Sequence, residues 1–251
     1  WYNTGDAYKF PEYLTIIQKK DFEGYALHFL SIEIHQDVVA IGSEAFMDRY
    51  FLQSVIFTGS NPQLSVIGQK AFFHCESLQK MAIPNSVIFI RPGAFKYCKN
   101  LKKIRLPNKL REIEDSVFST CTNLQEIDIP DSVETISSMA FEACKNLSIV
   151  RFGKNSKLTT ICRFAFAGTG TPSVIIPASV REVHCMAYES CKCVYITVEG
   201  EDTEIHERAF RRCQIKVVFI NAKNKQYQRK KENARYWLNL FNYPIIITEI
   251  D

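Results

Sequence analysis

Apolar and polar positions along this chain repeat every 22 to 26 residues, a period far longer than that of a single helix or strand. The pattern is anchored on a recurring aromatic: Phe22, Phe46, Phe72, Phe95, Phe118, Phe141, Phe166, Tyr188 and Phe210. Five residues before it stands Ile17, Ile41, Ile67, Ile90, Ile113, Ile136, Ile161, Val183 or Ile205. Immediately before it stands Ala, except for Asp21 and Val117. Three residues after it comes Cys75, Cys98, Cys121, Cys144, Cys191 or Cys213, and six after it Leu52, Leu78, Leu101, Leu124 or Leu147.

A unit of this length is too short to close its own core, so its apolar face is buried only when the next copy stacks on it. Leu101 to Leu106 alternates apolar and polar residues, which predicts a short strand pointing Ile104 and Leu106 inward and Arg105 outward. Leu78 to Ile83, Leu124 to Ile129 and Leu147 to Phe152 repeat it, so successive strands should form a parallel sheet. Pro84, Pro107, Pro130 and Pro177 follow these strands; lacking an amide donor, proline ends the ladder and starts a turn. A segment such as Asp131 to Ile136 then brings the chain back along the opposite side. Ala140-Phe141 plugs the centre, the small residue allowing close backbone approach. At Thr58 to Pro62 and Gly153 to Ser156, turn-forming residues replace the Pro-x-Ser-Val turn and predict bulging loops.

The phrase Ile-x-x-x-Ala-Phe-x-x-Cys-x-x-Leu-x-x-Ile-x-Ile-Pro-x-Ser-Val, cleanest in Ile113 to Val133, resembles the BspA-like class of leucine-rich repeats. The variant Gly-x-Asn-x-x-Leu at Gly59 to Leu64 and Gly153 to Leu158 is similar to versions common in protozoan members. The resemblance covers roughly residues 15 to 220. It implies a repeat solenoid, a right-handed leucine-rich-repeat coil with a parallel sheet of short strands, capped at both ends. It also implies the function of bacterial and protozoan surface antigens, adhesion or surface recognition, and a cell-surface or secreted location.

The ends depart from the pattern and set the expected domains: an N-terminal cap over 1–14, a solenoid of about nine coils over 15–220, and a C-terminal helix-strand cap over 221–251. Residues 15–38 are degenerate, with Tyr25 where Cys is expected and the strand Leu30 to Ile34 shifted. Lys225 to Leu240 predicts a helix with Tyr227, Ala234, Trp237, Leu238 and Phe241 on its apolar side, and Pro244 to Thr248 a last strand. An open solenoid end would otherwise expose core.

Composition narrows the function classes further. The 251 residues are 46% hydrophobic and 23% charged, enough for a substantial core. A net charge of +4 makes no case for nucleic acid, and no apolar run approaches the ~18 residues of a membrane span. The chain opens Trp1-Tyr2-Asn3 without Met or a signal pattern, as expected of a processed or trimmed piece, or of one whose true start lies upstream. Nine cysteines is an odd count, and six of them fall at one interior position of successive coils. They are expected to be reduced and to pack as small hydrophobes.

His184, Cys185, Cys191, Cys193, His206 and Cys213 crowd two adjacent coils, but the ladder cysteines should face inward and the histidines outward, so no metal site is expected. Phosphate loops, His-Glu-x-x-His and Gly-x-Ser-x-Gly are all missing from the sequence, which argues against an enzyme or a cofactor. Outward strand positions carry Ala82, Arg105, Asp128, Arg151 and Ile175, with Lys80, Lys103 and Glu126 two residues upstream. Extended solenoid faces are where repeat proteins bind, so Lys103, Arg105, Asp128 and Arg151 are the candidate partner-binding residues. A basic tail, Lys223, Lys225, Arg229, Lys230, Lys231 and Arg235, offers a second surface. The expected function is a non-catalytic scaffold that binds a protein or other macromolecule. The alternative is a structural subunit of an intracellular, for example cytoskeletal, assembly, toward which abundant unpaired thiols lean.

Overall fold

The computed structural model describes residues 7–22, 29–233, 236, 240 and 246–250. The ring of Phe22 and residues Tyr25, Ala234, Trp237, Leu238, Phe241 and Pro244 lie outside what is described.

The chain winds as a solenoid of about nine turns, each giving one longer and one shorter strand. The longer strands are Ser31–Ile34, Ser54–Phe57, Lys80–Ala82, Lys103–Arg105, Glu126–Ile129, Ile149–Phe152, Ser173–Ile176, Tyr195–Val198 and Val217–Asn221. Wherever they pair they are parallel, so that Ile32, Val55, Met81 and Ile104 form one buried row and Glu33, Ile56, Ala82 and Arg105 one outward row. The shorter strands run from Ile16–Ile17 to Glu204–Ile205 and pair in parallel on the opposite wall, with Ile17, Ile41, Ile67 and Ile90 facing in. Tyr8–Lys9 adds to the first longer strand and Ile246–Ile250 to the last, both parallel. The prolines do what their missing amide requires: the carbonyls of Pro84, Pro107, Pro130 and Pro177 each accept a turn hydrogen bond from the residue three on.

Between the two walls the aromatic anchors form one continuous column. From Phe46 to Phe210 neighbouring rings lie 5.0 to 5.6 Å apart and within 3 to 14° of parallel. At its N-terminal end Phe10 sets its edge against Phe46 at 6.1 Å.

A backbone ladder runs beside the rings and explains the alanine that precedes them. The amide of each aromatic donates to the carbonyl of the residue before the next aromatic: Phe46 to Ala71 (2.7 Å), Phe118 to Ala140 (2.8 Å), Phe141 to Ala165 (2.7 Å). The small residue suits this close approach, and where Val117 replaces it the Phe95 amide still reaches its carbonyl at 2.9 Å. Amides two residues either side of the aromatic join the same ladder, as from Ser116 to Ser138 and Thr120 to Glu142. To aim alternate amides along the stack, those positions adopt left-handed backbone: Ser116, Thr120, Met139 and Ala143 have φ between 55 and 62°, and Gly93 and Gly168 occupy equivalent sites. An L-residue pays about 1–2 kcal/mol for that conformation and glycine does not. Ala143→Gly should therefore stabilise the fold by up to about 1 kcal/mol, and Gly93→Ala should destabilise it by a similar amount. Chemical denaturation of both variants checks this; shifts of the reverse sign would mean that something other than backbone handedness governs the corner.

The expected single helix over Lys225 to Leu240 is corrected. The helix Lys225–Lys230 stops at a turn over residues 231–232, and helical backbone is described again at Tyr236 and Leu240. At the break the Asn233 Oδ1 accepts from the amide of Tyr236 at 2.9 Å, the hydrogen bond of an N-cap. Asn224 caps the first piece through Tyr227 and, fully buried, donates to the carbonyls of Gly200 and Thr203, tying the helix to the coil beneath. The last strand is described over Ile246–Ile250 and runs two residues past the expected end at Thr248, paired in register with Val217–Asn221; the expected Pro244 lies outside the described residues.

Candidate interaction face

The outward side of the longer strands carries the residues singled out from sequence. Lys103 and Arg105 flank Ile104, and Asp128 and Arg151 stand opposite each other in register. Three of the four belong to one ion-pair network, joined through Glu126. The Arg151 guanidinium reaches Asp128 at 3.0 Å and Glu126 at 2.7 Å, and Lys103 reaches the other oxygen of Glu126 at 2.7 Å. The two cations hold the Glu126 carboxyl below its ordinary value, with the Lys103 hydrogen bond foremost. Arg105 has no ion pair among the described residues. The row is therefore a largely self-neutralised network with one open cation.

Toward the C-terminus the same face turns apolar. Ser173, Tyr195, Val217 and Ile246 share one row and Ile175, Thr197, Phe219 and Thr248 the next. Of these, Ile175, Tyr195 and Ile246 are 47%, 46% and 65% exposed, and Ile149, on the outward side of the preceding coil's strand, is 44% exposed. The one-letter pattern holds this signal, since these outward positions are apolar where a solvated sheet is polar, but within a single repeat only Ile175 stands out. The register that gathers the rest comes from coils of unequal length.

The sheet is interrupted within this face, because Ile149–Phe152 and Ser173–Ile176 do not pair. The intervening coil lacks the usual Cys-x-x-Leu and has Thr169-Gly170-Thr171-Pro172 instead. Thr169 takes the cysteine's place and donates to the Phe166 carbonyl at 2.9 Å; Thr171 fills the leucine's and donates to the Leu147 carbonyl at 3.1 Å. The smaller Thr171 leaves a cleft of about 10 Å³ lined by Val150, Phe152, Phe166, Ile175 and Tyr188, room for about one water.

The ladder cysteines are free and buried, and they do more than pack. Each thiol donates to the carbonyl of the preceding coil's aromatic: Cys75 to Phe46, Cys98 to Phe72, Cys121 to Phe95 and Cys144 to Phe118 at 3.1 to 3.2 Å, Cys191 to Phe166 and Cys213 to Tyr188 at 2.9 Å. Spacing alone marked them as small hydrophobes; their donor role needed the carbonyl's position. Burial pushes Cys144 up to about 12 and lifts Cys75, Cys98 and Cys121 as well. Cys193 is raised by its contacts with the Cys191 and Cys213 thiols and by burial. The histidines diverge from these cysteines: His184 and His206 lie on the outside of the shorter-strand wall, their rings 5.4 Å apart.

The aromatics beside the inward positions also sort themselves. Phe73 and Tyr97 are half-buried and pack edge to face at 5.4 Å with His74 between them, whereas Phe89 is exposed under the Arg91 guanidinium. In the tail, Lys223 and Lys225 pair with Glu201 and Asp202 of the neighbouring coil. No described helix is long and apolar enough to cross a membrane.

Comparison with known proteins agrees with this geometry. The model of the BspA type leucine-rich repeat region matches six copies, over residues 6–65, 58–171 and 159–250. The chain belongs to the BspA type leucine-rich-repeat family. No curated protein matches it. Among solved structures, a leucine-rich repeat protein from Bacteroides ovatus is 24% identical with a TM-score of 0.62; the alignment covers 76% of this chain and 55% of that one. A leucine rich cell surface protein from Faecalibacterium prausnitzii is 19% identical with a TM-score of 0.52, over 98% and 89% of the two chains. The T. pallidum leucine-rich repeat protein is 20% identical with a TM-score of 0.52, over 90% and 89%. At these identities the likeness is one of fold. The present BspA-type chain spans just over half the length of the B. ovatus protein.

Proposed function

We propose that this BspA-type solenoid is a non-catalytic protein-binding scaffold that serves surface recognition, and that it binds through the outward face of its longer strands. The observation that carries this reading is the exposed apolar group Ile149, Ile175, Tyr195 and Ile246, set directly beside the network of Lys103, Glu126, Asp128 and Arg151 and the open cation Arg105. Sheet faces in water are ordinarily polar, and exposed apolar residues on one face next to charged ones match the composition of a protein interface. In this arrangement Tyr195 and the isoleucines supply desolvated area, while the charged rim, with Arg105 foremost, sets orientation and rejects mismatched partners. The cell surface as location rests on the family resemblance, which includes the protein described as a leucine rich cell surface protein. The segments 1–14 and 221–251 act as caps in this reading, adding the strands Tyr8–Lys9 and Ile246–Ile250 to the ends of the sheet.

The test compares capture of surface-extract proteins by the wild type and three variants of the full chain: Arg105→Glu with Asp128→Lys and Arg151→Glu; Ile175→Ser with Tyr195→Ser; and Lys230→Glu with Lys231→Glu. Partners bound by the wild type should be lost with either face variant and kept with the tail variant, at nearly unchanged melting temperature. Loss with the tail variant alone would move the interface to the C-terminal cap. Undiminished capture by all three would rule the strand face out.

A further inference from the structure

The opposite wall of the solenoid carries a different chemistry. Glu182 opens the short strand Glu182–Val183 and His184 follows it; one coil on, His206 follows Glu204–Ile205. Glu182 pairs in register with Glu204 and Val183 with Ile205, so the two histidines stand side by side on neighbouring coils. Val183 and Ile205 point into the core, which turns both imidazoles outward. Their backbones are fixed by the ladder: His184 donates to the Ile161 carbonyl and His206 to the Val183 carbonyl, both at 2.9 Å. Nε2 of His184 lies 3.2 Å from Oε2 of Glu182. One ligand atom from each of Glu182, His184 and His206 falls within 4.8 Å of the other two.

From this geometry we infer that Glu182, His184 and His206 form a binding site for one divalent transition-metal ion, Zn²⁺ by preference, on the outside of the shorter-strand wall. Two imidazoles and a carboxylate are a borderline donor set that suits zinc, nickel or copper and not calcium or magnesium. At metal–ligand bonds of about 2.1 Å, tetrahedral ligand atoms stand about 3.4 Å apart. The three groups reach that spacing through side-chain rotation alone, since Glu182 and His206 are exposed and His184 half-exposed. Three protein ligands leave a fourth position for water or for a donor from another molecule. The site is built on ladder strands, the kind of support that holds ligands in place. The thiols of Cys191, Cys193 and Cys213 are buried within the coil and have no part in it.

The experiment titrates the reduced full-length chain with ZnCl₂ by calorimetry and repeats the titration with His184→Ala, His206→Ala, Glu182→Gln and the pair Cys162→Ser with Cys185→Ser, which removes the half-buried thiols. One equivalent should bind the wild type and the cysteine variant alike. Each histidine variant and Glu182→Gln should bind at least roughly tenfold more weakly, since losing even an outer-shell partner costs about 10- to 100-fold. All three ligand positions are at the surface, so far-ultraviolet circular dichroism should show every variant folded. Binding should also weaken on acidification, as protons compete for both imidazoles. The inference is overturned if the wild type shows no saturable equivalent. It is equally overturned if the three ligand variants bind as the wild type does, or if only the cysteine variant loses the ion.

Discussion

Raising the pH from 7.5 to 10 should make this solenoid unfold at a far lower urea concentration, even with all nine thiols kept reduced. Cys75, Cys98, Cys121 and Cys144 are fully buried, and burial raises each thiol in the folded state, Cys144 to about 12. In the unfolded chain a cysteine titrates near 8.5. A folded-state value above the unfolded one gives stability that is complete below about pH 8.5 and lost as pH climbs toward 12. By pH 10 the loss is about 2 kcal/mol per thiol and about 8 kcal/mol across the four, comparable to the whole stability of an ordinary domain. Urea melts at pH 7.5, 9 and 10 in a non-thiol reductant measure it. Cys98→Thr with Cys121→Thr, which puts at both positions the residue that Thr169 supplies in its own coil, should flatten the dependence by about half, because a hydroxyl does not ionise in this range. A midpoint that holds steady between pH 7.5 and 10 would show that the ladder thiols are not sealed from solvent.

Phe118→Ala should cost about 3–5 kcal/mol, whereas Phe73→Ala should cost much less. Phe118 is fully buried between Phe95 at 5.6 Å and Phe141 at 5.4 Å, so truncation opens a void in the middle of the ring column and removes two stacked contacts. The neighbouring coils cannot close the gap, because the amide ladder on one side and the paired strands on the other fix their spacing. Phe73 sits outside that column, half-buried against His74 and Tyr97, where water can replace the lost ring. Paired denaturant melts give the comparison. Equal losses at the two sites would mean that the column does not bear the packing load assigned to it.

The repeat, the inward-facing rows and the family were legible in the one-dimensional pattern, because each coil buries its apolar residues only by stacking in register. That constraint writes Ile, Ala, aromatic, Cys and Leu at fixed offsets, and Ile113 to Val133 shows it almost complete. The strand-ending prolines were legible for the same local reason, a missing amide donor. Which outward residues become neighbours is a different matter, since solvent-facing positions are free of the packing that disciplines the core. Only the tertiary register revealed that Arg151 is held by Asp128 and Glu126, that Ile175, Tyr195 and Ile246 gather on one face, and that Glu182, His184 and His206 converge on the other. The left-handed corners were invisible in sequence because residues as different as Ser116, Lys70, Phe164 and Arg208 fill them and only Gly93 and Gly168 are glycine, the inter-coil amide bonds offsetting the conformational cost. The tail shows the same division: an apolar spacing suggests one helix from Lys225 to Leu240, but only the structure shows the turn after Lys230 and the register of Ile246–Ile250 against Val217–Asn221. The sequence by itself determined the coil, through residues that must be buried at each turn; the fold alone decided the surfaces, because contacts between coils depend on loop lengths and register that no single repeat contains.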